Sequence, residues 1–427
     1  MDTVRILHIG DIHYPEHRNE TAIHLKDAGF PRPVRNAITP HDLTTSVRGM
    51  TLLLQKRNIH GVLLSGDLTS WGDLTGYDAC VRYMADALGV SEKDRWQPEQ
   101  LHVVPGNHDV DGDYRGGGDL VAKFAPVRDA WTRRWADVLS AGAARPTAIV
   151  GDGGVRARLI SINSCVGCRE FRALPLPDAL RDGIDSLVWH EVDSLQPNEA
   201  FKLYGERLDT PAFGEDDIGE VVSSLTELDE KTMPVILAHH NVLPQATLRI
   251  AIYTELMNGG RMRAGLTRCR RPVLYCHGHI HEARVEEVRV AGGGVLVCVA
   301  APPLVEGFNV VEVEFGSKGY PLGCVVTHYR VRDGVVKPDN DTPVRIGFYR
   351  ACDYVRVADD RVPTFLPPDK RILRLRQLRE CIQQATGSAP QHQTIARVLE
   401  EAEWLGLVSI ENKKHPHDDW QVERRIP

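Results

Sequence analysis

The sequence predicts an α/β fold followed by a small α+β unit, and three observations carry that reading. Apolar runs at residues 4–9, 62–64, 101–104, 159–162, 233–238 and 272–276 alternate with stretches of helical spacing, the order that builds a parallel sheet. Five of those runs, at 4–9, 62–64, 101–104, 233–238 and 272–276, lead within three residues into carboxylates, amides or imidazoles, and open α/β sheets carry their chemistry at such strand ends. Beyond residue 370, two short helical patterns precede a pair of strands.

Residues 4–9 form a first strand that runs into Gly10-Asp11-Ile12-His13. In extended backbone, side chains two apart point the same way, so Asp11 and His13 can grip one ion together. Residues 14–42 read as a polar loop rich in Pro, Asn and His, in which His17, His24 and His41 are solvated. Leu43, Val47, Met50 and Leu54 recur at helical spacing before the strand 62–64, which ends in Ser65-Gly66-Asp67. Tyr77, Val81, Met84 and Leu88 line a second helix closed by Gly89. Strand 101–104 ends at Pro105-Gly106, because Pro has no N–H for the ladder and Gly permits a sharp turn. Asn107, His108 and Asp109 follow. A glycine-rich loop (112, 116–118) then leads to a helix over 124–139 with Trp131 and Trp135, and strand character resumes at 159–162.

Residues 165–230 are the least legible stretch, with one helix expected near 218–228. Strand 233–238 delivers His239-His240-Asn241, and a helix over 246–257 is expected to stop at Gly259-Gly260. Strand 272–276 runs into His277-Gly278-His279-Ile280-His281, with His277 read as structural. Segments 283–290, 294–300, 308–315 and 324–332 look like antiparallel strands with glycine turns.

The chain of 427 residues carries 51 basic and 58 acidic side chains, a formal charge of -7. No global field therefore marks it for nucleic acid or an acidic membrane. No apolar run approaches the roughly 18 residues of a membrane helix. Nine scattered cysteines and an N-terminus that opens directly on a strand point to a reducing cytoplasm.

Collected, the strand ends give Asp11, His13, Asp67, Asn107, His239, His279 and His281. Seven oxygen and imidazole donors exceed what one ion needs and suit two ions about 3.5–4 Å apart sharing a carboxylate. Asp67, a lone carboxylate on the middle strand, is the natural bridge. The mixed donor set favours two divalent ions from among Mn, Fe, Zn and Co over Mg or Ca.

On these five blocks, Asp11-Ile12-His13, Gly66-Asp67, Gly106-Asn107-His108-Asp109, His239 and Gly278-His279-Ile280-His281, the sequence resembles the calcineurin-like metallophosphoesterase superfamily over residues 1 to 332. The resemblance implies a four-layer αββα sandwich of two mixed sheets. It implies that Asp11, His13, Asp67 and His281 hold one ion and that Asp67, Asn107, His239 and His279 hold the other. It also implies that His108 protonates the leaving oxygen or steadies developing charge, in hydrolysis of a phosphoester by metal-activated hydroxide. His239 is favoured over His240 as ligand because the family's ligand directly follows this strand, which leaves His240 to line the substrate side or to donate a hydrogen bond behind the ligands.

Departures from the family pattern bear on substrate. The serine/threonine phosphatase branch continues its second block as GDxxDRG, whereas this chain reads Gly66-Asp67-Leu68-Thr69-Ser70-Trp71-Gly72. The diester branch has HHP where this chain has His239-His240-Asn241. A phosphodiesterase acting on a nucleotide or nucleic-acid phosphodiester is the reading adopted; a repair-type nuclease, a phosphomonoesterase and an idle binding scaffold are its alternatives. Cys165 and Cys168 form a lone CxxC with no second pair at zinc spacing and read as ordinary thiols, with Arg169 and Arg172 beside them solvated.

Residues 333–370, marked by Pro338, Pro343, Pro363, Pro367 and Pro368, read as a linker. Residues 371–427 are similar to a winged helix-turn-helix domain. Leu375, Leu378 and Ile382 mark its first helix, Ile395, Val398, Leu399, Ala402 and Leu405 its second, and a hairpin closes it. Lys413, Lys414, Arg424 and Arg425 could touch phosphates, but Glu400, Glu401 and Glu403 argue against the second helix as a groove reader. A nucleic acid, a protein and a second copy of the chain are the candidate partners; no membrane is.

Overall fold

The computed structural model describes residues 1–14, 41–69, 74–89, 100–111, 114, 119–133, 145–169, 176–195, 210–244, 256–292, 294–339, 343–350, 353–357 and 372–425. Residues 15–40 of the expected loop, most of the expected helix at 246–257, Trp135, Arg172 and residues 358–370 of the expected linker lie outside the described residues.

Two sheets are stacked. In the first, β1 (Asp2–Ile9), β2 (Gly61–Leu64) and β3 (Leu101–Val103) run parallel, while β10 (Gly307–Phe315) and β11 (Pro321–Arg332) continue antiparallel from β1. In the second, β4 (Arg145–Val150), β5 (Arg156–Ser161), β6 (Met233–Leu237), β7 (Val273–His277), β9 (Val295–Ala300) and β8 (Arg284–Arg289) lie in that order. The central strands β5, β6, β7 and β9 are parallel. The antiparallel expectation for 294–300 thus holds toward β8 but not toward β7. The turn from β8 reverses the chain, and a strand that pairs on both sides can be antiparallel to only one of two opposed neighbours.

The strands read as unbroken apolar runs because both faces are buried. Along β1, Val4 and Ile6 enter the core between the sheets, while Leu7 and Ile9 pack under α1 (His41–Lys56), α2 (Leu74–Leu88) and α3 (Ala125–Thr132). Along β6 and β7, Val235, Leu237, Leu274 and Cys276 face the first sheet, and Ile236, Val273 and Tyr275 face the opposite layer. That layer holds α5 (Glu215–Glu227) and α6 (Gly259–Arg268), while α4 (Asp178–Ser194) precedes it in the chain. Helices, sheet, sheet, helices is the expected four-layer order.

The glycines at 259–260 begin α6 instead of ending a helix. Met262 and Leu266, four apart, bury one face of it, and that spacing lies after the glycines. Residues 333–347, expected to be linker, contain β12 (Val335–Pro338) and β13 (Val344–Gly347), which both pair with β11. The first unit therefore reaches past 332.

The C-terminal unit is β14 (Ile372–Arg374), α7 (Leu375–Thr386), α8 (His392–Trp404), β15 (Val408–Glu411) and β16 (Gln421–Arg424), with sheet order β14-β16-β15. Its core is continuous with Leu322 and the partly buried Met1, Tyr320, Val325 and Tyr349 of the first unit. Trp404 closes α8 against the sheet: its Nε1 donates to Glu314 Oε2 at 2.7 Å, the Arg345 guanidinium lies 3.7 Å from its ring centroid, and a side chain at Gly323 would collide with the ring. The buried Glu401 accepts from Ser317 N at 2.6 Å and Oγ at 3.1 Å. Replacing Trp404 with Ala should lower the unfolding free energy by about 3–5 kcal/mol and make the C-terminal unit open to protease before global unfolding. Denaturant melts with timed proteolysis check this; an unchanged midpoint would show that the interface contributes nothing.

Candidate metal centre

All the polar clusters gather at one mouth because the parallel strands of both sheets end there. Aspartate and histidine side chains come close only because the backbone between them bends sharply. Asp11, His13, Asp67, His279 and His281 adopt φ of 45°, 44°, 51°, 68° and 54°, five of the nine non-glycine residues with positive φ among the described residues. A left-handed residue costs roughly 1–2 kcal/mol, and such strain persists where the surroundings over-determine it.

The seven strand-end donors form one connected group. His13 Nε2 lies 3.2 Å from His281 Nε2 and 3.7 Å from Asp67 Oδ2, and His281 Nε2 lies 3.6 Å from Asp11 Oδ1. On the other side of Asp67, His239 Nε2 is 3.4 Å from its Oδ2 and 3.0 Å from Asn107 Oδ1, and the His239 and His279 rings are 5.1 Å apart. One donor atom from each of Asp11, His13, Asp67 and His281 falls within 4.8 Å of the others, and so does one from each of His239, His240 and His279. Asp67 sits between the two groups. His108 is at the rim, its ring 5.0 Å from that of His13, and His281 is the most open member, with a side chain 47% exposed.

Backbone N–H groups aim the carboxylates. His279 N donates to both oxygens of Asp11 at 2.9 and 3.0 Å, and His108 N donates to Asp67 Oδ1 at 2.9 Å. Asp109, absent from the expected donor set, braces two turns at once: Gly106 N, Leu68 N and Thr69 N all donate to it. Burial, reinforced by Asp67, pushes its carboxyl up to about 8. Burial would also raise Asp67, but His239, His108 and His13 overcome it and hold Asp67 well below the usual carboxylate range. Burial would lower His239, yet Asp67 overrides it and raises that imidazole well above its ordinary value. His240 and His279 are kept neutral by burial and by the imidazoles beside them.

The donor chemistry fits a pair of divalent cations. The Nε2 atom of His279 is buried with no hydrogen-bond partner, a cost that neutral cores avoid. An anionic carboxylate among four imidazoles is likewise a set that cations complete. His277 is buried and makes a backbone contact to Gly278 O, as expected for a structural residue.

A comparison with family models matches residues 4–283 to the calcineurin-like phosphoesterase model. The chain belongs to the calcineurin-like phosphoesterase family. It is a metal-dependent phosphoester hydrolase of that family, and it has the mixed α/β architecture of the metallophosphoesterase sandwich. Solved structures similar to it include GAP50, the anchor in the inner membrane complex of Plasmodium, at 11% identity over 85% of this chain and 93% of that one, TM-score 0.40. A 5'-nucleotidase precursor from Thermus thermophilus is 13% identical over 79% of this chain and 56% of its own, TM-score 0.39. The phosphopantetheinyl hydrolase of Mycobacterium tuberculosis is 14% identical over 70% and 89%, TM-score 0.35. Comparison with curated proteins gives no match.

Sequence reading passed over one strand end of this phosphoesterase. The run 159–162 also leads into polar residues, Asn163-Ser164-Cys165, and the structure brings Ser164 Oγ to 2.9 Å and Cys165 Sγ to 3.7 Å from His240 Nδ1. The pattern of strand followed by donors was present there too. The described CxxC residues, read as ordinary thiols, are buried beside the site, and Arg169, read as solvated, is buried and donates to Asp111 O at 2.8 Å.

Gly106 lies so close that a Cβ there would strike the Asp67 carboxylate. Gly106→Ala should therefore displace Asp67 and lower bound metal below that of the parent protein while far-UV circular dichroism stays unchanged. Elemental analysis of the purified variant checks this, and full metal content would show that the Asp67 position is not critical.

Proposed function

We propose that the chain is a phosphodiesterase acting on a nucleotide or nucleic-acid phosphodiester. Asp11, His13, Asp67 and His281 would hold one cation, and Asp67, Asn107, His239 and His279 the other. The observation that supports this most is the position of Asp67, within 3.7 Å of His13 Nε2 and 3.4 Å of His239 Nε2, from opposite sheets. Two divalent cations, when bound, neutralise phosphoryl charge and supply hydroxide near neutral pH.

The chain's own residues do the rest. The N–H groups of His108 and His279 fix Asp67 and Asp11 before substrate arrives, so no reorganisation is needed at the moment of reaction. His108, at the rim, hands a proton to the leaving oxygen. His281, the exposed member, marks the side from which the ester enters. Two features support a diester: the His239-His240-Asn241 sequence after β6 and the lack of an Asp-Arg-Gly continuation after Asp67.

The C-terminal unit, winged-helix-like in its element order, serves protein docking or self-association in this reading more than groove reading, since α8 is committed to the first unit. A reducing cytoplasm is the location adopted in this reading, on the scatter of nine cysteines along the chain. Among the described residues no helix is long and apolar enough to cross a membrane.

Asp67→Asn should abolish turnover, and His108→Ala should lower kcat about 10²–10⁴-fold, with melting temperature held in both; undiminished turnover in either removes the role given to that residue. Dialysis against a chelator should abolish activity and manganese, nickel or zinc should restore it. The restored enzyme should turn over bis-p-nitrophenyl phosphate faster than p-nitrophenyl phosphate, and cyclic nucleotides, dinucleotides and oligonucleotides then identify the ester. A preference for the monoester would make the protein a phosphomonoesterase; no bound metal and no turnover would make it a scaffold.

A further inference from the structure

We propose that His240 is not a metal ligand but a hydrogen-bond donor to a phosphoryl oxygen, locked in that role by the hydroxyl of Ser164. The proposal rests on the phosphoester reading of the site and adds to it a residue held by the end of β5.

The hydrogen bonds around Ser164 fix the direction of its proton. The backbone N–H groups of His239 and His240 both donate to Ser164 Oγ, at 3.2 and 3.0 Å, and so occupy its two lone pairs. The hydroxyl hydrogen is left to donate, and His240 Nδ1 is 2.9 Å away. The Cys165 thiol does not compete, because it donates to Pro105 O at 3.4 Å. His240 Nδ1 is thus an acceptor. A neutral imidazole whose Nδ1 accepts carries its hydrogen on Nε2, and an N–H has no lone pair to give a cation.

This distinguishes His240 from its neighbours. His239, His240 and His279 meet the same distance criterion for holding an ion, yet His239 Nδ1 faces the carbonyl of Ser65 at 2.6 Å. His239 therefore donates from Nδ1, which leaves Nε2 bare for a metal. The Ser164 bond reverses that polarity in His240. The same bond takes the Nδ1 lone pair that a metal would need from Cys165, Cys168 and His240, so that cluster does not form a third metal site. Tyr275 Oη donates to His240 O at 2.6 Å and holds the backbone. What remains is a fully buried Nε2–H without a partner, on a ring 4.3 Å from that of His279, whose Nε2 is also unpartnered. An anionic oxygen entering beside His279 would satisfy it, and a phosphoryl group brings such an oxygen.

The test uses zinc-loaded protein labelled with 15N-histidine, in which two-bond 1H–15N spectra report the tautomer of each ring. The His240 signal is assigned by its loss in His240→Gln. The expected results are an Nε2–H tautomer for His240, a shift of that resonance on adding inorganic phosphate, and two zinc ions retained in His240→Gln. Ser164→Ala should mix the tautomers, keep both ions and bind phosphate about tenfold more weakly; His240→Ala should weaken phosphate binding at least as much, with Gln intermediate because its amide can donate. An Nδ1–H tautomer in the parent protein, loss of one ion in His240→Gln, or unchanged phosphate affinity in both Ser164→Ala and His240→Ala would overturn the proposal. The parent-protein spectrum decides even if a variant fails to fold. Parent protein that binds two ions and phosphate, with His240 unresponsive, defeats this proposal alone; parent protein that binds neither defeats the site reading and this proposal with it.

Discussion

The approach of two strand ends from different sheets is the constraint on which the site depends. β2 belongs to the first sheet and β6 to the second, yet His239 Nδ1 reaches the carbonyl of Ser65 at 2.6 Å and its Nε2 reaches the Asp67 carboxylate at 3.4 Å. A Cβ on Gly66, whose φ is +92°, would stand 2.7 Å from that same Nδ1. Only glycine fits there, on both steric and conformational grounds. The core of Val4, Ile6, Leu63, Val235 and Leu274 sets the spacing of the sheets, and the Ser65-Gly66-Asp67 turn places the Asp67 carboxylate within reach of imidazoles from both.

Such an arrangement is expensive in the absence of cations. Five residues in positive φ, a fully buried histidine with an unpartnered donor nitrogen, and carboxylates removed from water all oppose folding. The compensation lies below, in strands buried on both faces, and around the mouth, in N–H groups that fix Asp11, Asp67 and Asp109. Side chains so held would meet cations without rearrangement, which is the property transition-state stabilisation needs. The stability set aside there is characteristic of functional sites.

What could be read in the sequence follows from the same physics. Doubly buried strands print as apolar runs, so β1, β2, β3, β6 and β7 were legible with the donors at their ends. β4 was not, because it is an edge strand that carries Pro146 and buries only Ile149. α4 was passed over although Leu180, Ile184, Leu187 and Val188 recur at helical spacing; none of its described residues is buried, and Leu180 and Leu187 face solvent. β12 and β13 fell in a proline-marked stretch whose strand pairing depends on β11, a tertiary fact that local pattern does not encode. Ser164 escaped for a different reason. Serine is neither a ligand nor a titrating group, and its importance comes only from the three hydrogen bonds that orient one imidazole.

The acidic residues of α8 show how the same letters change meaning once packing is known. Glu401 and Glu403 speak against contact with phosphates when α8 is treated as a free surface. In the fold they are the contacts of an internal interface: Glu401 receives Ser317, and Glu403 accepts from Arg345 at 2.8 Å while Lys413 of the hairpin reaches it at 2.8 Å. The helix a groove reader would extend toward DNA is therefore turned inward, with Trp404 against Gly323. The charge of Lys413 is likewise spent within the chain. Any partner of the C-terminal unit must use α7 or the outer side of the hairpin, and it would meet a unit held against the catalytic sheet, not one swinging on a tether.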